Sequence, residues 1–396
     1  MNTSSQYTAI PLEQPAPTTV SRKTHTIGLP RCNDKAEKRF PITPEGVAML
    51  TERGFSIKME SQAGAPIHYT DEQYSRAGAH IVNRSETLLC DIVIHLAPLS
   101  NADIAGMRRG ALLLTLLPPN RIKPDNIKSL LSRHITTVGI DMLHDNAGHK
   151  PFADILAEID GRAAISRASS LLADAVHGKG ILLGGIAGIV PCEITIIGSN
   201  IAGCATARSA LGAGAVVRMF DHDVYSLRTA TRELGPGVIG SSMHPRTVES
   251  ALRTADVVVY AGTNPAPSFG SDTTGSMKRG VIVFDLTDDC GHAFPSLPVI
   301  DLAMASPIDI SPVAATRVCY VNAGSSVPRT AAMALTNTFI TLLGQISACE
   351  GTVNALKLLP GLRDATVTFM GKTVHRIVAE TVGERYVDIN LYLTLS

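Results

Sequence analysis

The sequence predicts an α/β protein of two domains, each built on a mostly parallel sheet. Three observations carry that expectation. Short apolar, β-branched runs alternate with helical patterns along the chain, which is the pattern of a mostly parallel sheet. One stretch, Glu193 to Asp221, reads as a complete βαβ unit with a glycine turn. The length, 396 residues, is enough for two domains that each bury a core of their own.

The βαβ stretch runs EITIIGSNIAGCATARSALGAGAVVRMFD. Ile194 to Ile197 is strand-like, the Ala-rich segment after it is helical, and Val216 to Phe220 is a second strand that ends on an acid. This is the spacing of a Rossmann-like dinucleotide site. Gly198 permits the tight turn, the helix N-terminus offers N–H groups to a pyrophosphate, and Gly203 lets helix and strand approach. Gly198, Ser199, Asn200, Ile201 and Gly203 are therefore the expected cofactor-binding turn. Asp221 would accept a hydrogen bond from the ribose 2′-OH and repel a 2′-phosphate, which favours NAD over NADP. The middle glycine of GxGxxG is replaced by Asn200, whose side chain must turn away from the phosphates or bond to them. The alternative for the six residues alone is an ordinary βαβ crossover with a glycine turn.

Taken in order, Met1 to Lys23 is rich in Ser, Thr, Pro and Gln, lacks the apolar core of a signal peptide, and is expected to be a disordered tail over 1–24. Strands are expected at Thr26 to Leu29, Ser56 to Met59, Ile92 to Leu96, Leu112 to Leu117 and Thr136 to Ile140. Helices are expected from Pro44, after Thr43 as N-cap, at Asp71 to Ala77 and around Lys123 to Arg133. Phe152 to His177 reads as a long helix with an Ala and Ser face, suited to bridging two domains. Gly178 to Pro191 reads as a flexible or tightly turned hairpin. Further strands are expected at Val257 to Ala261, Val281 to Leu286 and Thr316 to Val321, with a helix near Arg246 to Ala255 and a turn-rich loop from Gly262 to Thr274. A last long helix, Arg329 to Ile346, leaves this domain. The rest is too short for a third domain and is expected to fold back on the first. An NAD domain, 155–330, would then be inserted in a discontinuous substrate domain, 25–154 plus 331–396.

Composition excludes several classes. Lys+Arg and Asp+Glu both number 35, so no net charge draws the chain to nucleic acid or an anionic membrane. Tryptophan is absent and aromatics make up 4%, too few for base-stacking platforms. The 7 cysteines are scattered, without CxxC or Cys/His spacing for a metal, which fits reduced thiols in a cytoplasm. No run reads as a membrane span.

Several separated stretches together resemble the alanine dehydrogenase and nicotinamide nucleotide transhydrogenase α-subunit family. IGLP and then EKRFPITPEGV (Glu37 to Val47) are similar to its first strand and E-x-R-V-A-x-T-P-x-G-V motif. GRAA (Gly161 to Ala164) is similar to its bridging-helix motif, and LLGGIAGIVP to its L-x-G-G-V-P-G-V-x-P hairpin. VNAGSSVPRTAAMALTN (Val321 to Asn337) is similar to A-N-M-P-x-x-V-P-x-T-S-x-x-A-L-T-N, and GKTVHRIVAE (Gly371 to Glu380) also fits. The resemblance runs from about Ile27 to the C-terminus. It implies two doubly wound domains, NAD in the second, hydride transfer in the cleft to an amino or 2-oxo acid, and a homo-oligomer.

The resemblance also implies roles for single residues. Arg39 aligns with the arginine that binds the substrate carboxylate, a charge-assisted contact that orients a 2-oxo acid. Asp289, in VFDLTDDCG, aligns with the second aspartate of D-x-x-x-D-Q-G-G, near nicotinamide and the reacting amine. Its alternative is a turn residue. Asn322 aligns with the asparagine of A-N-M-P, which would contact nicotinamide or substrate, or else bond to loop backbone. Two departures matter. The substrate-gripping lysine of K-V-K-E-P aligns with Leu96, and the proton-donating histidine after T-Y-L aligns with Pro118. Neither side chain donates a proton or carries charge, which argues against alanine and pyruvate as the natural pair. His95, one residue from the lost lysine, is a candidate substitute, although strand alternation turns neighbouring side chains to opposite faces. Three functions stay open: a retargeted amino-acid dehydrogenase, a transhydrogenase-like hydride carrier that needs an NADP-binding partner, and a non-catalytic NAD sensor.

Overall fold

A computed structural model describes residues 25–118, 121–289, 291–304 and 316–394. The expected tail, 1–24, and Cys290 lie outside the described residues. The chain first builds β1 (Thr26–Leu29), β2 (Ser56–Glu60), β3 (His80–Val82), β4 (Ile92–Ile94), β5 (Leu112–Thr115) and β6 (Thr136–Gly139). These strands are parallel and lie in the order β3-β2-β1-β4-β5-β6. It then builds a whole second sheet from β7 (Glu193–Ile197), β8 (Val216–Asp221), β9 (Val238–Ser242), β10 (Val257–Tyr260), β11 (Ile282–Asp285), β12 (Val299–Asp301) and β13 (Val318–Val321). That sheet is also parallel, in the order β9-β8-β7-β10-β11-β13-β12. Finally β14 (Thr366–Phe369) and β15 (Lys372–Thr373) add antiparallel to the first sheet beyond β6. Both sheets are doubly wound, and the order reverses between β1 and β4 in one and between β7 and β10 in the other. Such reversals open a crevice at the carboxyl ends of the strands.

Each sheet is buried on both faces, as parallel sheets must be. Ile27, Leu29, Ile57, Leu112 and Leu114 anchor the first core, and Ile194, Ile196, Val217, Val257 and Val259 the second. Two long helices link the sheets. Pro151–Ala173 starts at a proline, where the missing N–H costs nothing, and ends where the Asp174 carboxylate takes the N–H groups of Val176 and His177. It therefore stops short of the His177 expected above. Pro328–Ala348 puts Ala332, Leu335, Phe339 and Leu343 into the first core, and Phe339 meets Phe152 edge to face at 4.8 Å. By length and composition alone Pro328–Ala348 is apolar enough to cross a bilayer, as an apolar core helix also is, and here half of its apolar stretch is buried inside the fold. Thr43 caps the helix Pro44–Glu52 and its N–H donates to Thr336, tying the two helices together.

Candidate active site

Two places collect functional groups, and the carboxyl ends of the strands make both. The first is the crevice between β7 and β10. Gly198 has φ +111, and a Cβ there would lie 2.5 Å from the Gly262 carbonyl oxygen. A Cβ on Gly203 would lie 2.0 Å from the Gly198 oxygen. Only glycine fits at either position, so the turn, the helix Ile201–Gly212 and the loop after β10 meet backbone to backbone. Asn200 is the N-cap of that helix: its Oδ1 accepts from Gly203 N–H, and its Nδ2 donates to the Ala261 carbonyl at 2.6 Å. The side chain in the place of the middle glycine is thus drawn into the protein and leaves the face of the turn bare. Asp221 ends β8 and is 7% exposed. Its Oδ2 accepts from the Ser199 N–H at 2.7 Å and Oγ at 2.6 Å, and its Oδ1 from Asp223 N–H. Ile201, 42% exposed at the first helical position, lies open beside the turn.

The second place is a cavity of about 310 Å³ between the sheets, lined by Arg39, Leu116, Pro118, Arg121, Asp141, Asp160, Asp285, Asp288 and Asn322 among others. Arg39 follows β1 and is pinned by Glu37, whose side chain is 1% exposed: Nε donates to Oε1 at 2.7 Å and Nη2 to Oε2 at 2.5 Å. Burial opposes the charge on Arg39, but the attraction and hydrogen bonds of Glu37, together with the charges of Asp160 and Asp288, outweigh it and hold the guanidinium above its ordinary range. Asp285 ends β11 and is 1% exposed. Its two oxygens take the N–H and Oγ1–H of Thr287 and the N–H of Gly291, which fold the loop. Asp141, after β6, accepts from Leu117 N–H, and burial raises its pKa. Asp160 sits mid-way along Pro151–Ala173 and accepts from Gly324 N–H at 2.7 Å; burial pushes its pKa up to about 6 against the pull of Arg39. Asn322 is left-handed, φ +57, a conformation that asparagine tolerates, and its Nδ2 donates to Asp301 at 2.7 Å.

Comparison with known proteins gives this geometry its context. Residues 28–159 match the alanine dehydrogenase/PNT N-terminal domain, and residues 164–376 the C-terminal domain of the same family. The chain belongs to the alanine dehydrogenase/PNT family. Alanine dehydrogenase of Mycolicibacterium smegmatis is 28% identical over 383 residues, covering 93% of this chain and 99% of that protein. Alanine dehydrogenase of Bacillus subtilis is 27% identical over 366 residues, covering 91% and 96%. Among solved structures, an L-alanine dehydrogenase superposes with TM-score 0.80 at 23% identity, covering 90% of this chain and 99% of that one. A transhydrogenase from Sinorhizobium meliloti superposes with TM-score 0.70 at 20% identity, covering 89% and 99%. Like its family, the chain is an NAD-dependent oxidoreductase.

Within this alanine dehydrogenase/PNT member, the structure brings Arg39 and Asn322 to the cleft and gathers Gly198, Ser199, Asn200, Ile201, Gly203 and Asp221 at the turn. Three sequence expectations need correction. Asp289 does not line the cleft: its side chain is 80% exposed and faces His292 at 3.7 Å. The grip of Asp285 on Thr287 and Gly291 sets the loop so that Asp288 lines the cleft instead. His95 is also outside the cleft. It is 4% exposed, its Nδ1 bonds to the Ala97 carbonyl, burial lowers its pKa, and it lines a separate cavity of about 340 Å³ with Arg84, Asp103 and Lys123. Leu96 is 2% exposed in the first core, so the cleft wall takes nothing from it, whereas Pro118 does line the wall. Sequence reading missed Asp160 and Asp141. Neither stands in a recognisable motif, although Asp160 directly precedes GRAA.

Substituting Asp221→Ala is expected to weaken NADH binding roughly tenfold, about 1.4 kcal/mol, and to narrow the discrimination against NADPH. Fluorescence titration with both cofactors measures it, and an unchanged NADH to NADPH ratio would remove the ribose role of Asp221.

Proposed function

We propose that the chain oxidises an amino acid other than alanine, or reduces the matching 2-oxo acid in the presence of ammonia, with NAD as cofactor. The observation that carries this reading is the cleft itself: one pinned guanidinium, Arg39, faces a wall of carboxylates at the strand ends beside the dinucleotide turn. The turn fits NAD, since its glycines leave no Cβ in the way, Asn200 is folded aside, and Asp221 stands where a ribose hydroxyl would be met. When bound, NAD supplies the acceptor or donor of a hydride. The chain does the rest. Two of Arg39's nitrogens are held by Glu37, and Nη1 remains for the substrate carboxylate. The acids opposite favour a substrate end that bears an amine. Pro118 lines the wall and has no proton to donate, and this supports a substrate other than alanine or pyruvate.

Purified protein with NADH, ammonia and a panel of 2-oxo acids, followed at the NADH absorbance, tests the reading. Turnover of a 2-oxo acid in preference to pyruvate is expected. NADH binding without any turnover would sink it and favour a partner-dependent hydride carrier or a sensor. On the preferred substrate, Asp288→Asn is expected to lower kcat by about one to two orders of magnitude, whereas Asp289→Asn leaves it within about twofold. The reverse result would restore Asp289 to the site. Exposed Ile186, Ile189 and Val190 on the glycine-rich segment after the first long helix support association of copies of this chain, which sedimentation of an Ile189→Lys variant would test.

A further inference from the structure

Adding ammonia to a 2-oxo acid needs a group that gives a proton to oxygen and recovers one from nitrogen. Among the described residues no histidine lines the cleft, and the groups there that can exchange a proton near neutrality are carboxylates. The four on its walls differ in what already holds them. Asp285 has both oxygens tied to Thr287 and Gly291, and Asp141 accepts from Leu117 N–H at 2.8 Å. Asp288 stands on an exposed turn. Asp160 faces the cleft from mid-way along the first long helix, between the two sheets, with Gly324 N–H on Oδ1 at 2.7 Å. Gly324 occupies the position that is proline in the A-N-M-P motif, and proline would have no N–H to give. A Cβ on residue 324 would also lie 2.1 Å from Asp160 Oδ1, so glycine both supplies the donor and leaves the room. One contact therefore fixes Asp160 against the loop after β13, while Arg39 adds its attraction from the loop after β1.

We propose that Asp160 is the group that carries a proton between the nitrogen and the oxygen of the substrate in this cleft. The inference rests on the oxidoreductase reading above. The nitrogen lone pair of ammonia forms the C–N bond, the C=O π pair moves onto oxygen, and oxygen takes the proton of the Asp160 carboxyl. The Asp160 carboxylate, stabilised by Arg39 and Gly324 N–H, then recovers a proton from the ammonium nitrogen of the adduct. The result is a neutral carbinolamine and a neutral Asp160, with no other reactant consumed. Burial, aided by Glu37 and Asp288 and opposed by Arg39 and Gly324 N–H, brings Asp160 to a pKa of about 6, where it can both give and take a proton near neutrality. The charged groups around it are Glu37 and Arg39 after β1, Asp141 after β6, Asp285 and Asp288 after β11, and Arg121 on the opposite wall.

The sign follows from which form acts. Reductive amination starts from the neutral acid, so kcat/KM should fall as pH rises above about 6; oxidative deamination starts from the carboxylate, which takes a proton from the water that adds to the iminium carbon, so it should fall as pH drops below about 6. Asp160→Asn is expected to lower kcat at least about a hundredfold, with KM within about threefold, and to flatten both limbs. Asp160→Glu should restore part of the rate and the limbs. In the resting protein, a carboxylic-acid infrared band that titrates near pH 6 should vanish in Asp160→Asn, and circular dichroism should show both variants folded. Wild-type turnover with an indifferent Asp160→Asn, or with unchanged limbs in that variant, overturns the proton role alone. A wild type that turns over nothing on the panel overturns the functional reading and the proton role with it.

Discussion

A chain carrying Gly203→Val is expected to lose NADH binding by at least two orders of magnitude while still folding its first sheet. The bare Cβ would already lie 2.0 Å from the Gly198 carbonyl oxygen and 3.6 Å from the Ala261 Cβ, and the two γ-methyls of valine need more room again. Nothing nearby yields cheaply, because the contact is backbone, and Gly198 is itself held against the Gly262 carbonyl on its other side. The helix Ile201–Gly212 must therefore lift away, and its N-terminal N–H groups leave the position from which they meet a pyrophosphate. Overpacking of this kind costs roughly 1–3 kcal/mol or more. A loss of about 3 kcal/mol in binding is the hundredfold expected. Fluorescence titration reads the affinity and thermal melting reads the fold. Unchanged affinity would show that the dinucleotide does not lie over this turn.

The second large effect is expected from Glu37→Gln. Glu37 is 3% exposed and binds Arg39 through two parallel bonds. Removing its charge leaves a half-buried guanidinium whose remaining attraction comes from Asp160 and Asp288 across the cleft. Breaking a buried pair from one side costs about 3–5 kcal/mol, and denaturant unfolding should show a loss of that order. Arg39 should also lean toward the acids it formerly faced at a distance, so KM for the 2-oxo acid is expected to rise more than kcat falls. The double variant Glu37→Leu with Arg39→Leu should regain most of the stability but none of the substrate affinity, because an apolar pair satisfies itself where a lone charge cannot. A Glu37→Gln variant within about 1 kcal/mol of the parent would show that solvent already reaches and screens the pair.

Much of the site could be read from residue order because its physics is local. A glycine at φ +111, an N-capping asparagine and an acid at the end of the next strand lie within one βαβ unit, so their spacing alone places them. The same holds for Thr43 and Pro44 at a helix start. Edge strands were not legible. His80–Val82, Val238–Ser242 and Val299–Asp301 are short and half exposed, and they become strands by pairing with a neighbour that is already in place.

The sequence by itself determined the alternation of strands and helices and the glycine turn of the βαβ unit, since each depends on periodicity or on residues close in the chain, and its motifs, spread along the chain, determined the family resemblance that implied two doubly wound domains. Tertiary structure alone decided which side chains share the cleft. Asp288 rather than Asp289 lines it because the Asp285 carboxylate reaches six residues along to Gly291 and sets the loop. His95 is turned away into a different cavity, and Leu96 into the core. Asp160 joins Arg39 only because two helices cross between the sheets and bring Gly324 N–H to its oxygen from 164 residues away. Charges separated by that much chain have no pattern to read; folding has to bring them together before either can shift the proton affinity of the other.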